Sequence, residues 1–230
     1  MYHKKDEILL KNSVVRKDNR IIGACYKLTL NEQRLVLVAI AKIPFEAKIP
    51  NEVEITAQEF LALFPDVGEK NVHNEIQDTV DRLYERSIRI EDPIKKKKFR
   101  WISSTTLYKK GEGRVGFSFS KEIIPYLQQL KTQFTKYRLG DISSLKSIYS
   151  IRLFEMLMQF QNTTIIVISL EKFKERLGIQ DKYSDYKNLR KRVIEPAVNE
   201  LNQKSHFNVS YKGIREGRSI KKLEFFFSEK

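Results

Sequence analysis

LKSIYSIRLFEMLMQFQ (145–161), TIIVISL (164–170), EKFKERLG (171–178), YKNLRKRVIEPAVNELNQK (186–204), FNVSYKG (207–213) and KKLEFFFSE (221–229) follow one another through the second half of the chain. The first piece carries apolar residues at helical spacing, the second is a β-branched run, the next two are again helical, and the last two alternate as strands. Helix, strand, helix, helix and β-hairpin is the order of a winged helix, in which the third helix can lie in a DNA major groove and the hairpin touches the flanking backbone.

Working outward, the same order is present upstream. Thr29 with Glu32 is a capping-box signature that opens the apolar stretch 30–43, which Pro44 ends. VEIT (53–56) reads as a strand. Thr56 with Glu59 opens a second helix, AQEFLALF, which stops before Pro65 and Gly68. VHNEIQDTVDRLYERS (72–87) sets Val72, Ile76, Val80 and Leu83 on one stripe, and SIRIED, FRWISSTTLYKK and GRVGFSFS follow as strands. The halves share element order but little residue identity. The fold expected is therefore α+β, two tandem winged-helix domains forming a structural pseudo-repeat. The boundary is expected near Lys131, giving domains at 1–131 and 132–230. No Gly/Ser linker separates them, so they are expected to pack on each other.

A chain of 230 residues, 41% hydrophobic, suits two small domains with real cores. No stretch approaches eighteen apolar residues, and the N-terminus lacks the apolar run and cleavage site of a secretory signal, so the expected location is the cytosol, away from the membrane. Cys25 is the only cysteine, which excludes an intrachain disulfide and a cysteine-rich zinc site. The formal charge of +14 calls for a polyanionic partner, because each Lys or Arg at a phosphate releases condensed counterion. Residues 1–130 carry 23 basic and 18 acidic side chains, a net of +5, whereas residues 131–230 carry 20 and 11, a net of +9.

The basic half also holds the better reading surface. On the helix spanning about 184–204, Leu189, Val193, Ala197 and Leu201 form a core ridge, while Asn188, Arg192 and Asn199, flanked by Lys187, Lys191 and Glu195, face away. Arg pairs bidentately with guanine and Asn with adenine. Arg190 falls at the edge of the apolar face, and Pro196 is expected to kink the helix. The corresponding helix of the first half carries Asp78, Asp81 and Glu85, which oppose phosphate, so base contact there is expected only near Lys70, Asn71 and Asn74, with the acidic stretch turned aside or toward protein. The first wing is expected to hold Lys95, Lys96, Lys97, Lys98 and Arg100, with Lys109, Lys110 and Arg114 around its second turn. The second wing offers Lys212, Arg215, Arg218, Lys221 and Lys222. Either set positions phosphates, or it is a solvated strand end. Trp101 reads as a packed aromatic.

Three chemistries are disfavoured. Gly111 to Gly116 spells GEGRVG but lies between two strands with no helix after it, so it is a hairpin turn and not a dinucleotide site. No phosphate-loop motif is present. His3, His73 and His206 stand apart and Tyr149 lies in an apolar helix, which argues against a metal-dependent tyrosine nickase. No cofactor, metal or catalytic residue is expected.

LTLNEQRLVLVAIAKI (28–43), FTKYRLGDISSLKSIYSIRLFEML (134–157), and LRKRVIEPAVNELN (189–202) followed by EGRSIKKLEFFF (216–227) resemble the iteron-binding Rep initiators of theta-replicating plasmids. The central pattern, F-T-x-Y then S-x-Y-S-x-R-L-x-E, is the most specific. The resemblance implies binding as a monomer to direct repeats in double-stranded origin DNA, a dimer that represses the initiator's own gene, and contacts with host replication proteins. It assigns the principal base readout to the second domain, on Lys187, Asn188, Arg190, Lys191 and Arg192. It assigns the dimer interface and auxiliary DNA contacts to the first. A winged-helix transcriptional repressor with no replication role fits the same residues.

Overall fold

A computed structural model describes residues 4–44, 48–91, 94–108, 112–128, 130 and 132–230. The chain begins with α1 (Lys4–Asn12), β1 (Val14–Asp18), α2 (Asn19–Gly23) and β2 (Cys25–Tyr26). The first winged helix follows: α3 (Leu30–Ala41), β3 (Val53–Thr56), α4 (Ala57–Leu63), α5 (Val72–Tyr84), β4 (Ser87–Glu91), β5 (Lys96–Arg100), β6 (Ile102–Leu107) and β7 (Arg114–Phe119). Both capping boxes form, with Thr29 and Thr56 each accepting from the backbone three residues on and Glu32 and Glu59 returning the bond. Helix α3 is buried on every side from Glu32 to Ile40, as a helix apolar all round must be.

After β8 (Phe134–Arg138) and the short α6 (Gly140–Ser143), the order repeats as α7 (Ile148–Met158), β9 (Ile165–Ser169), α8 (Leu170–Arg176), a reading-position helix, β10 (Phe207–Glu216) and β11 (Ser219–Glu229). That helix has three parts: α9 (Tyr186–Leu189), a π turn (Arg190–Ile194) and α10 (Glu195–Lys204). The two sheets have one topology. In each, the first strand pairs with the third and the third with the second, giving β3-β7-β6 and β9-β11-β10, all antiparallel. Two tandem winged helices are therefore the fold, with the pseudo-repeat carried by topology and not by residues.

One expected strand is two. Residues 99–110 divide at Trp101, which is fully buried with its ring edge-on to Tyr26, centroids 5.0 Å apart. Upstream of it β5 pairs with β4, and β4 with β2, making a separate three-stranded sheet. The wing proper is β6–β7. Residues 95–98 thus belong to an inserted hairpin, a correction to their expected place on the wing.

The expected boundary at Lys131 lies outside the described residues. Strand β1 pairs with β8 from Val14 opposite Arg138 to Asp18 opposite Phe134. Below this ladder lies a buried polar network centred on α7. Glu155 meets Lys17 of β1, accepts from Tyr137 of β8 at 2.6 Å, and contacts Arg152 at 3.3 Å. Arg152 donates to the carbonyls of Ile22, Ala24 and Arg176 at 3.0, 3.2 and 2.8 Å and to the Tyr26 hydroxyl. Arg34 of α3 grips Asp66 through both terminal nitrogens and donates to the Leu145 carbonyl at 2.9 Å. Residues on either side of the expected boundary are thus in contact through β1 with β8, Lys17 with Glu155, and Arg34 with the Leu145 carbonyl.

Candidate nucleic-acid interface

The helix from α9 to α10 is started by Asp185, whose carboxylate accepts from the Asn188 backbone at 2.8 Å. That bond, with one from the Asn188 side chain, holds the Asp185 carboxyl below its ordinary range. Asn188 is exposed, but its amide nitrogen is committed to Asp185, so bidentate adenine contact requires that bond to open. Lys187, Lys191, Arg192 and Asn199 are exposed, and among the described residues Lys191 and Arg192 have no ion-pair partner. Arg190 is exposed as well, paired with Glu195 at 3.3 Å, and does not sit against the core as its expected position implied. The cause is the π turn. Pro196 cannot donate to the Arg192 carbonyl, and the Glu195 amide instead reaches back five residues to Arg190. The expected kink is a widened turn.

The second wing stands beside this helix. Lys212 and Lys222 are engaged with Glu224 at 2.6 Å and Glu216 at 2.8 Å. Arg215, Arg218 and Lys221 are exposed around the tip with no ion pair among the described residues. Tyr186 of α9 packs on the wing strand at Gly213, where a Cβ would come within 3.1 Å of the Tyr186 hydroxyl and 3.0 Å of Ile220. Burial, then Tyr186, then Glu195 push the neighbouring Tyr211 hydroxyl up to about 12, so it stays protonated and can bond to Glu195. Tyr186, Glu195, Tyr211 and Gly213 thus tie helix to wing. The sequence places Glu195 beside the outward face of the helix but does not reveal Tyr186, Tyr211 or Gly213, since a glycine opposite a tyrosine is a faint signal without register.

In the first module Lys70, Asn71 and Asn74 lie exposed together at the start of α5, and Asn71 makes no side-chain capping bond. Of the acidic residues, Glu75 turns to Asn31 and Arg82, and Glu85 to Arg100, whereas Asp78 and Asp81 stay exposed. Lys95, Lys96, Lys97 and Lys98 are exposed on the inserted hairpin, with Lys96 paired to Glu91 at 2.9 Å. Arg100 donates to the Tyr84 carbonyl at 2.6 Å and to Glu85 at 3.1 Å and lies over the Tyr84 ring, so it closes the end of α5. Lys109 and Lys110 lie outside the described residues. No helix among the described residues is long and apolar enough to cross a membrane.

This arrangement defines a tandem winged-helix protein with a cationic helix-and-wing surface on its second module. Residues 14–158 match the family described as Initiator Replication protein, WH1, and residues 169–227 match Initiator Rep protein, WH2. The chain belongs to this family of replication initiator proteins. It is 30% identical over 206 residues to a replication initiation protein of Escherichia coli, covering 85% of this chain and 64% of that protein, so it spans less than two thirds of that relative's length. It is 24% identical over 220 residues to an uncharacterized 27.6 kDa protein of Escherichia coli, covering 90% and 92%. The Pi initiator protein, solved in complex with iteron DNA, superimposes with a TM-score of 0.81 at 21% identity, over 96% of this chain and 98% of that one, which shows a shared fold.

Proposed function

We propose that this chain is a plasmid replication initiator that binds direct repeats, iterons, in double-stranded origin DNA as a monomer, acting in the bacterial cytosol without a catalytic step. The observation that carries this reading is the exposed row of Lys187, Arg190, Lys191 and Arg192 beside the unpaired wing cations Arg215, Arg218 and Lys221, in the more basic half of the chain. Residues 132–230 supply the principal readout in this account. Residues 1–131 add contacts near Lys70, Asn71 and Asn74 and form a dimer that represses the initiator's own gene. Host replication proteins are the further partners. The initiator bound to iterons in the similar Pi structure supports the choice of DNA target.

Footprinting the purified protein on the DNA around its own gene tests this. Protection of several direct repeats beside an A·T-rich tract is expected. Protection of a lone inverted repeat would make the chain a repressor instead.

A further inference from the structure

The reading-position helix widens at its middle, where the Glu195 amide reaches back to the Arg190 carbonyl. Leu189, Val193 and Ile194 are buried there, at 1%, 1% and 0% exposure, with Arg190, Lys191 and Arg192 exposed between Leu189 and Val193. An unbroken α-helix phased on Val193, Ile194, Ala197, Val198 and Leu201 would place Arg190 on the buried side, three, four and seven positions before Val193, Ile194 and Ala197. The π turn inserts one residue and rotates everything upstream by about 100° relative to α10. That rotation swings Arg190 out of the core face. Pro196 stands two residues beyond the turn and forbids the α-helical bond to Arg192, and its ring would press on that carbonyl in a regular helix.

We propose that Pro196 is a specificity-setting positioning residue: it fixes the π turn, and with it the phase at which Lys187, Arg190 and Lys191 are presented to the DNA groove relative to the wing. The Arg190 and Glu195 pair, 3.3 Å apart, spans this turn, and Glu195 continues to Tyr211 on the wing, so phase and wing are set together. The inference rests on the reading of this helix as the one that meets bases.

The test is Pro196→Ala in the full chain, titrated against one iteron duplex and a random duplex of equal length at the same salt. With the α-helical bond restored the phase can slip, so preference for the iteron should fall about tenfold or more, the scale of one bidentate base contact. Affinity for random duplex and its salt slope should stay within about twofold, because phosphate contacts tolerate rotation. An unchanged preference, or equal loss on both duplexes, overturns the proposal. Wild-type protein that shows no preference fails the reading of the helix itself, which separates the two failures. Should Pro196→Ala not fold, Arg190→Cys decides. Cys25 is buried, so thiol labelling reports on position 190, expected to react in free protein and to be protected by the iteron. A thiol unreactive in the free protein, or unprotected on the iteron, contradicts the assigned phase.

Discussion

The carboxylate of Glu155 on α7 is held against the ammonium of Lys17 on β1, and neither side chain reaches solvent. Because Arg152 and Tyr137 converge on the same carboxylate, its removal leaves Lys17 buried without a counter-charge. Glu155→Ala should cost about 3–5 kcal/mol in urea unfolding, and Lys17→Met combined with Glu155→Leu should recover only part of that loss, since it removes the unpaired ammonium but still leaves the buried Arg152 guanidinium and Tyr137 hydroxyl without their carboxylate. Equal losses in both variants would show that the unpaired Lys17 is not what makes the single change costly.

The same pair sets an acid limit. Burial alone would raise the Glu155 carboxyl, but Lys17, Arg152 and the bond from Tyr137 more than offset it and hold it below its ordinary value. A depressed carboxyl contributes stability that is complete above the unfolded value, about 4.3, and is lost as pH falls through the folded one. Lys17 is also depressed, by burial, and that acts at the alkaline end. Unfolding midpoints of wild type should therefore drop more steeply below about pH 4.3 than those of the Lys17→Met, Glu155→Leu protein. Parallel curves would place the acid sensitivity elsewhere.

Arg192, exposed and unpaired among the described residues, is the sharpest candidate for a base contact. Arg192→Ala should weaken iteron binding by about 1–3 kcal/mol more than random-duplex binding. Equal loss on both duplexes would make it a phosphate contact.

The lysine run behaves differently in this account. Replacing Lys95, Lys96, Lys97 and Lys98 together with alanine should weaken all DNA binding alike and flatten the log-log salt dependence by about 0.9 for each lysine that meets phosphate. Lys96 already faces Glu91, so the change should be smaller than four full contacts. An unchanged slope would leave the inserted hairpin in solvent.

Element order and both capping boxes were legible because they depend on local periodicity and on pairs three residues apart. The wing assignment of residues 95–98 was not, because adjacent strands separated only by a buried Trp101 look continuous until pairing partners are known. The outward turn of Arg190 was hidden for a related reason. A helical wheel assumes one uniform pitch, and Pro196 breaks it. The F-T-x-Y and S-x-Y-S-x-R-L-x-E motifs have a plain physical meaning here: Tyr137, Arg152 and Glu155 belong to the buried network centred on α7, and Thr135 bonds to Asn19 at 2.7 Å. They are the most specific part of the resemblance and they mark buried packing, not the exposed cationic face of the reading-position helix.

Two winged helices in contact across the expected boundary should enter DNA from one side, with groove contacts about one helical turn, roughly 10–10.5 base pairs, apart. Their helix faces differ in charge and composition, so the two contacted half-sites should differ in sequence and the repeats should be direct. The most direct measurement is hydroxyl-radical footprinting of monomeric protein on a duplex carrying one repeat. The account predicts two protected clusters on one face of the DNA at that spacing, with Arg192→Ala thinning only the cluster under the second module. A single cluster, or protection that is symmetric about a dyad, would contradict it.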